Sequence, residues 1–181
     1  MCGIIGYFGK KPAQNILLDG LKRMEYRGYD SAGIACQHNK TISLVKKSGK
    51  IKDLRQKIDK RLPKVFEDAV YGIGHTRWAT HGSPSDKNAH PHLDHSNNFA
   101  LVHNGIIENY KEIRTFLSQK NINCVSDTDS EVLVQLISFC FNGNLEEAVS
   151  EALKKVVGAY GILVISNLDP EKIVAARCGL S

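Results

Sequence analysis

Ala32-Gly33-Ile34-Ala35-Cys36-Gln37-His38-Asn39-Lys40-Thr41-Ile42-Ser43-Leu44-Val45 holds two strand-like runs, Ala32 to Gln37 and Thr41 to Val45. The polar link His38-Asn39-Lys40 between them reads as a hairpin. Working outward, strands and helices recur in pairs and not as single strand-helix-strand units. Upstream, an apolar start (Ile4 to Phe8) precedes a helix opened by Pro12, with Leu17, Leu21 and Met24 on one face. Downstream, Ile51, Leu54, Ile58 and Leu62 recur at helical spacing beneath a basic run, and Val70 to Thr76 reads as a strand. Trp78 to Asn98 is polar, with Pro84 and Pro91, and so long a loop in a compact domain points to function. Phe99 to His103 reads as a buried strand ending in an Asn104-Gly105 turn.

Asn109 with Glu112, Thr128 with Glu131, and Asn144 with Glu147 each read as the start of a helix. The apolar faces follow: Tyr110, Ile113 and Leu117; then Leu133, Leu136, Ile137 and Cys140; then Ala148, Val149, Ala152, Leu153 and Val156. Ala159 to Ser166 and Lys172 to Arg177 are closing strands. Paired strands and paired helices predict sheet-on-sheet packing with helices outside. The chain stops directly after a strand, which reads as a fragment of something longer.

The chain has 181 residues, 42% hydrophobic and 24% charged, the balance of a water-soluble globular domain. No apolar run approaches the roughly 18 residues of a membrane span, and Met1-Cys2-Gly3-Ile4-Ile5-Gly6 lacks the basic region of a secretion signal. Five cysteines, with no Cys-x-x-Cys pair, read as free thiols in a reducing cytoplasm. The net charge of +5 is uneven: residues 1–90 carry 17 Lys/Arg against 8 Asp/Glu. Nine of these bases lie between Lys46 and Lys64. A polyanion-binding surface is one reading of that run. A solvated helix face is the plainer one, because no aromatic interleaving accompanies the charge.

Several residues could carry chemistry. Methionine is normally trimmed ahead of a small second residue, which would place the thiol and a free α-amine together on Cys2. An α-amine with a reference pKa of about 7.7–8.0 can serve as the base for such a nucleophile. Asn104-Gly105 reads first as a turn, but it also sets a side-chain amide beside an unhindered backbone N–H, as an oxyanion requires. Arg77, at a strand end before the long loop, suits bidentate capture of a carboxylate. Trp78 is either a core anchor or a lid. Asp129 caps a helix or pairs with an ammonium. His75, His81, His90, His92, His95 and His103 invite a metallohydrolase reading, but no metal-binding helical spacing accompanies them.

Cys2-Gly3-Ile4-Ile5-Gly6 at the start resembles the class II glutamine amidotransferases, which are N-terminal-nucleophile hydrolases. Glu25 to Gly33, His75 to Gly82, Asn88 to His92, His103 to Asn109, Ser126 to Val132 and Gly158 to Gly161 resemble the branch that aminates fructose 6-phosphate to glucosamine 6-phosphate. The resemblance implies an α+β fold, a four-layer α-β-β-α sandwich, over residues 1–181. It implies glutamine as substrate, attack by Cys2, and an oxyanion held by Asn104 and Gly105. Arg77 would bind the substrate carboxylate with help from Thr80 and His81, and Asp129 the α-ammonium. Trp78 would close over glutamine, while Arg27 and His90 would support the site. The resemblance implies no cofactor, metal, nucleic acid or membrane. Ammonia would pass to C-terminal sugar isomerase domains that this chain lacks and that bind fructose 6-phosphate, in a full-length cytoplasmic enzyme that is a homo-oligomer.

Overall fold

The computed structural model describes residues 2–28, 30–61, 66, 68–78 and 85–179, without the side chains of Arg27 and Arg61. One sheet is formed by β1 (Gly3–Phe8), β2 (Ser31–His38), β3 (Thr41–Ser48) and β4 (Tyr71–Arg77), in the spatial order β1-β4-β2-β3. The other contains β5 (His92–Leu93), β6 (Phe99–Ile107), β7 (Gly158–Ser166) and β8 (Val174–Cys178), in chain order. Every pairing is antiparallel. The hairpin anticipated at His38 to Lys40 closes on two residues, Asn39 and Lys40, with φ 48° and 58°. Two successive positive φ angles give a turn whose twist matches that of the flanking strands.

Three separate apolar cores stack these elements into four layers. Helix α1 (Ala13–Met24) and helix α2 (Ile51–Arg61) lay Leu17, Leu18, Leu21, Leu54 and Ile58 on Ala32, Ile34 and Cys36 of β2. Between the sheets, Ala35, Ile42, Tyr71 and Ile73 meet Ala100, Val102 and Ile165. Helices α3 (Tyr110–Gln119), α4 (Asp129–Cys140) and α5 (Leu145–Leu153) cover the far face of β6 and β7 through Ile113, Leu117, Leu133, Ile137 and Val149. Each buried leucine, isoleucine or phenylalanine contributes about 1.5–3 kcal/mol of transfer free energy. Among the described residues no helix is long and apolar enough to cross a membrane.

Strand alternation then decides what enters the space between the sheets. Side chains two apart share a face, so Ile4, Ile73 and Val102, which pack there, carry Cys2, His75, Arg77 and Asn104 on the same inward faces. The polar members cluster at one end of the sandwich, at the start of β1, the end of β4 and the second half of β6.

Four expectations change. The basic run is not one helix: Lys46, Lys47 and Ser48 finish β3; α2 is described over Ile51–Arg61, and Leu62 lies outside the described residues. Asn104-Gly105 is not a turn but the continuation of β6, Asn104 opposite Gly161 and Gly105 opposite Tyr160. The polar segment up to Asn98 contains the short strand β5. Asn109 does not cap α3 with its side chain; it ties the strand exit to residues 155–157, donating to Lys155 O and accepting from Val157 N–H. Thr128 and Asn144 do cap α4 and α5, accepting from Glu131 N–H and Glu147 N–H.

Candidate functional site

Cys2 is half-buried, immediately before β1. Its Sγ accepts from Trp78 N–H at 3.2 Å and lies 3.6 Å from Trp78 O. The chain is brought there by β1 pairing with β4, and Gly3 N–H donates to Thr76 Oγ1 at 3.2 Å. On the other side of the Arg77–Trp78 peptide stands Gly28, where a Cβ would lie 2.9 Å from both Arg77 C and Trp78 N. Asp30 N–H donates to Arg77 O, which fixes the same peptide from its carbonyl side.

Arg77 is buried at the end of β4. Burial pushes its guanidinium below the ordinary value, and Cys2, Asp129 and Asp30 pull it back, in that order. That places a thiol and two carboxylates in the field of one arginine. Asn104 reaches from β6 across the sheet gap and donates through Nδ2 to Cys2 O at 3.1 Å, while its Oδ1 lies 2.8 Å from His75 Nε2. Gly105 has φ +126°, and a Cβ there would drive into the carbonyl oxygen of Ala159. Asp129, the first residue of α4, accepts Ile107 N–H on Oδ2 at 2.9 Å, and its Oδ1 lies 3.9 Å from His103 Nδ1. Trp78 is 44% exposed at the site's rim, so it is not a core anchor.

The structure therefore brings together Cys2, Arg77, Trp78, Asn104, Gly105 and Asp129. Thr80, His81 and the side chain of Arg27 lie outside the described part. His90 sits one layer behind, stacked on His75 with centroids 4.1 Å apart, its Nε2 2.8 Å from Ser130 Oγ. The same hydroxyl lies 2.9 Å from His103 Nδ1. Sequence reasoning gave His75 only as one of the histidines of a metal reading and assigned no site role to Ser130 or Gly28. For His75 a signal existed: it lies two residues before Arg77 on one strand and so shares its face.

His75, His90 and His92 are buried ring against ring. Burial depresses His75 to about 4 and holds His90 and His92 well below the usual imidazole range. Desolvation disfavours the charged form. Among the described residues no three His, Cys, Asp or Glu side chains gather as a metal-binding group. Much of the basic run's charge is engaged. Lys46, depressed by burial to about 8, donates to Ala89 O at 2.7 Å and Lys87 O at 3.2 Å. Lys57 donates to Asp86 and Lys46 O, and Arg55 to Asp19.

Two antiparallel sheets between helical layers, with a cysteine at the start of the first strand facing the inter-sheet end, define the N-terminal-nucleophile amidohydrolase architecture. The glutamine phosphoribosylpyrophosphate amidotransferase of B. subtilis superposes with a TM-score of 0.77 at 26% identity, over 92% of this chain and 35% of that one. A glutamine aminotransferase class-II domain protein from Silicibacter pomeroyi shares the fold, with a TM-score of 0.55 at 14% identity, over 92% of this chain and 76% of that one. Residues 44–180 match the family model of the glutamine amidotransferase domain, and the chain belongs to that family. Among curated relatives, the glutamine--fructose-6-phosphate aminotransferase of Caldanaerobacter subterraneus is 49% identical over 98% of this chain and 28% of its own length. That of Chlorobaculum tepidum is 51% identical over 99% of this chain and 30% of its own length. The chain thus spans less than a third of the length of these curated relatives.

Proposed function

We propose that this chain is the glutamine-hydrolysing portion of a glutamine--fructose-6-phosphate aminotransferase. The observation that carries this reading is the Cys2 thiol, held by Trp78 N–H at 3.2 Å beside Arg77, with the Asn104 amide joined to the same cysteine's carbonyl. Glutamine offers one carboxylate, one ammonium and one amide. Arg77 matches the first, Asp129 the second, and Cys2 with Asn104 and Gly105 the third. Once Met1 is removed, the α-amine of Cys2 takes the thiol proton and Sγ attacks the side-chain amide carbon. The oxyanion is held by Asn104 Nδ2 and Gly105 N–H. On collapse the C–N bond breaks and the amine returns its proton to the leaving nitrogen, releasing ammonia and a γ-glutamyl thioester. Water, deprotonated by the same amine, cleaves the thioester to glutamate and restores the thiol.

In the relatives the matched part is less than a third of the chain, and a remaining length lies outside it. The reading assigns to it the sugar isomerase domains that take up ammonia with fructose 6-phosphate, in a cytoplasmic homo-oligomer. The test is glutamate release with intact mass measured on the same sample. Protein lacking Met1 should release glutamate, and Cys2→Ala or Met1-retaining protein should not. Wild-type turnover in either variant overturns the reading.

A further inference from the structure

Asn104 is built to present one face of its amide, and the residue that selects the face is His75. A side-chain amide has one accepting oxygen and one two-proton donor, nearly equal in shape, so its neighbours decide which points where. Cys2 O can only accept, and it lies 3.1 Å from Nδ2. That leaves Oδ1 facing His75 Nε2 at 2.8 Å, so His75 must donate there. The ring is 1% exposed and burial keeps it neutral, so it has one proton to place, and donation to Oδ1 puts it on Nε2. Reversing the amide would set Oδ1 against the Cys2 carbonyl oxygen and the NH2 group against an N–H.

The ring that does this is itself fixed. His90 stacks on it at 4.1 Å with an interplanar angle of 30°, and His90 is anchored through Nε2 to Ser130 Oγ at 2.8 Å. Ser130 follows Asp129 in the first turn of α4. A continuous set of contacts therefore runs from the helix that carries Asp129, through Ser130, His90 and His75, to the Asn104 amide.

We propose that His75 is the positioning residue of the oxyanion hole, locking the Asn104 amide so that its NH2 faces the reacting carbonyl. This rests on the glutaminase reading above. One amide proton holds Cys2 O and the other is left for the oxyanion. Donation into Oδ1 also polarises the amide and strengthens its N–H groups as donors. His75 touches neither substrate nor nucleophile, so its effect belongs to the transition state.

The test compares His75→Phe with His75→Gln in Met1-processed protein. Gln sets an amide N–H close to the place of Nε2; Phe keeps a ring and removes the donor. With Phe, kcat for glutamine hydrolysis should fall about tenfold or more, as expected when an oxyanion donor is misdirected. KM should stay within twofold, because Arg77 and Asp129 still hold the ends of glutamine. Affinity for glutamate γ-semialdehyde, which adds to Cys2 as a thiohemiacetal, should fall by the same factor while affinity for glutamate does not. His75→Gln should recover most of kcat. A Phe variant with wild-type kcat and aldehyde affinity overturns the proposal, as does a Gln variant as impaired as Phe. Should wild type show no glutaminase turnover, that retires the glutaminase reading alone. Hydrogen exchange of the Asn104 side-chain NH2 then decides the locking: faster exchange in His75→Phe supports it, and equal exchange overturns it.

Discussion

The backbone N–H of Trp78 points at Cys2 Sγ from 3.2 Å, and Gly28 packs against the back of the same peptide. A donor fixed on the sulfur holds it in one place, and a misplaced nucleophile loses the alignment its attack requires. A Cβ at Gly28 would lie 2.9 Å from Arg77 C and Trp78 N, so the peptide must shift to admit it. A hydrogen bond is worth about 0.5–1.5 kcal/mol net, so Gly28→Ala should slow Cys2 alkylation by iodoacetamide by up to about tenfold. Glutamate release should fall with it. Alkylation at the wild-type rate would show that the Trp78 N–H does not position the sulfur.

Asp129 carries two duties that one substitution separates. Its Oδ2 accepts Ile107 N–H at 2.9 Å, a structural link between β6 and α4. Its negative charge is the proposed partner of the substrate ammonium. Asp129→Asn keeps an accepting oxygen and loses the charge. KM for glutamine should rise about 10- to 100-fold, the loss of a charge-assisted bond, while the melting temperature stays close to wild type. Steady-state kinetics and thermal unfolding on the same sample separate the outcomes, and an unchanged KM would remove Asp129 from substrate binding.

The buried imidazoles set an acid limit on stability. His75 is depressed from 6.5 to about 4 by burial, so the folded chain keeps it neutral where the unfolded chain protonates it. Stability is therefore full above pH 6.5 and declines as pH falls toward about 4. The slope is about 1.4 kcal/mol per pH unit for each such histidine. Asp86, lowered from 3.8 to about 2 by Lys57 and Ser48, acts in the same direction only at lower pH. Urea unfolding at pH 7 and pH 5 should show a loss of about 2 kcal/mol or more, since His90 and His92 act in the same direction. Equal midpoints would mean the rings are not buried neutral.

How much of this could be read in the chain depends on whether the signal was local. The β2–β3 hairpin, the face of α1 and the caps Thr128 and Asn144 follow from residues within a few positions of one another, and each forms as expected. The start of the basic run was misplaced, because charge is blind to the change from strand to helix after Ser48. His75, His90, His92 and His103 look like a metal set in the sequence. They come from β4, the following segment, β5 and β6, and only the fold shows that they are buried together. Cys2, Arg77 and Asn104 share one inter-sheet space because each lies an even number of residues from a side chain packed there, a relation that needs the sheet pairing to be known.

Asn104-Gly105 shows the limit of local reading most clearly, and it yields the last prediction. An Asn-Gly pair favours a turn, yet here the ladder with β7 continues through both residues to Ile107. Gly105 stays in the strand at φ +126°, with the Ala159 carbonyl where a Cβ would be. The two residues should therefore fail differently. Asn104→Ala removes a side-chain donor and leaves the ladder, so kcat should drop by about 10²–10³, with a smaller loss of stability from the orphaned His75 N–H. Gly105→Ala must move the β6–β7 backbone, so it should lower the melting temperature more than Asn104→Ala as well as reduce turnover. Thermal unfolding of the two variants side by side checks this. A Gly105→Ala protein as stable as wild type would mean that the strand relaxes there freely, and the rigid backbone assigned to Gly105 would be lost with it.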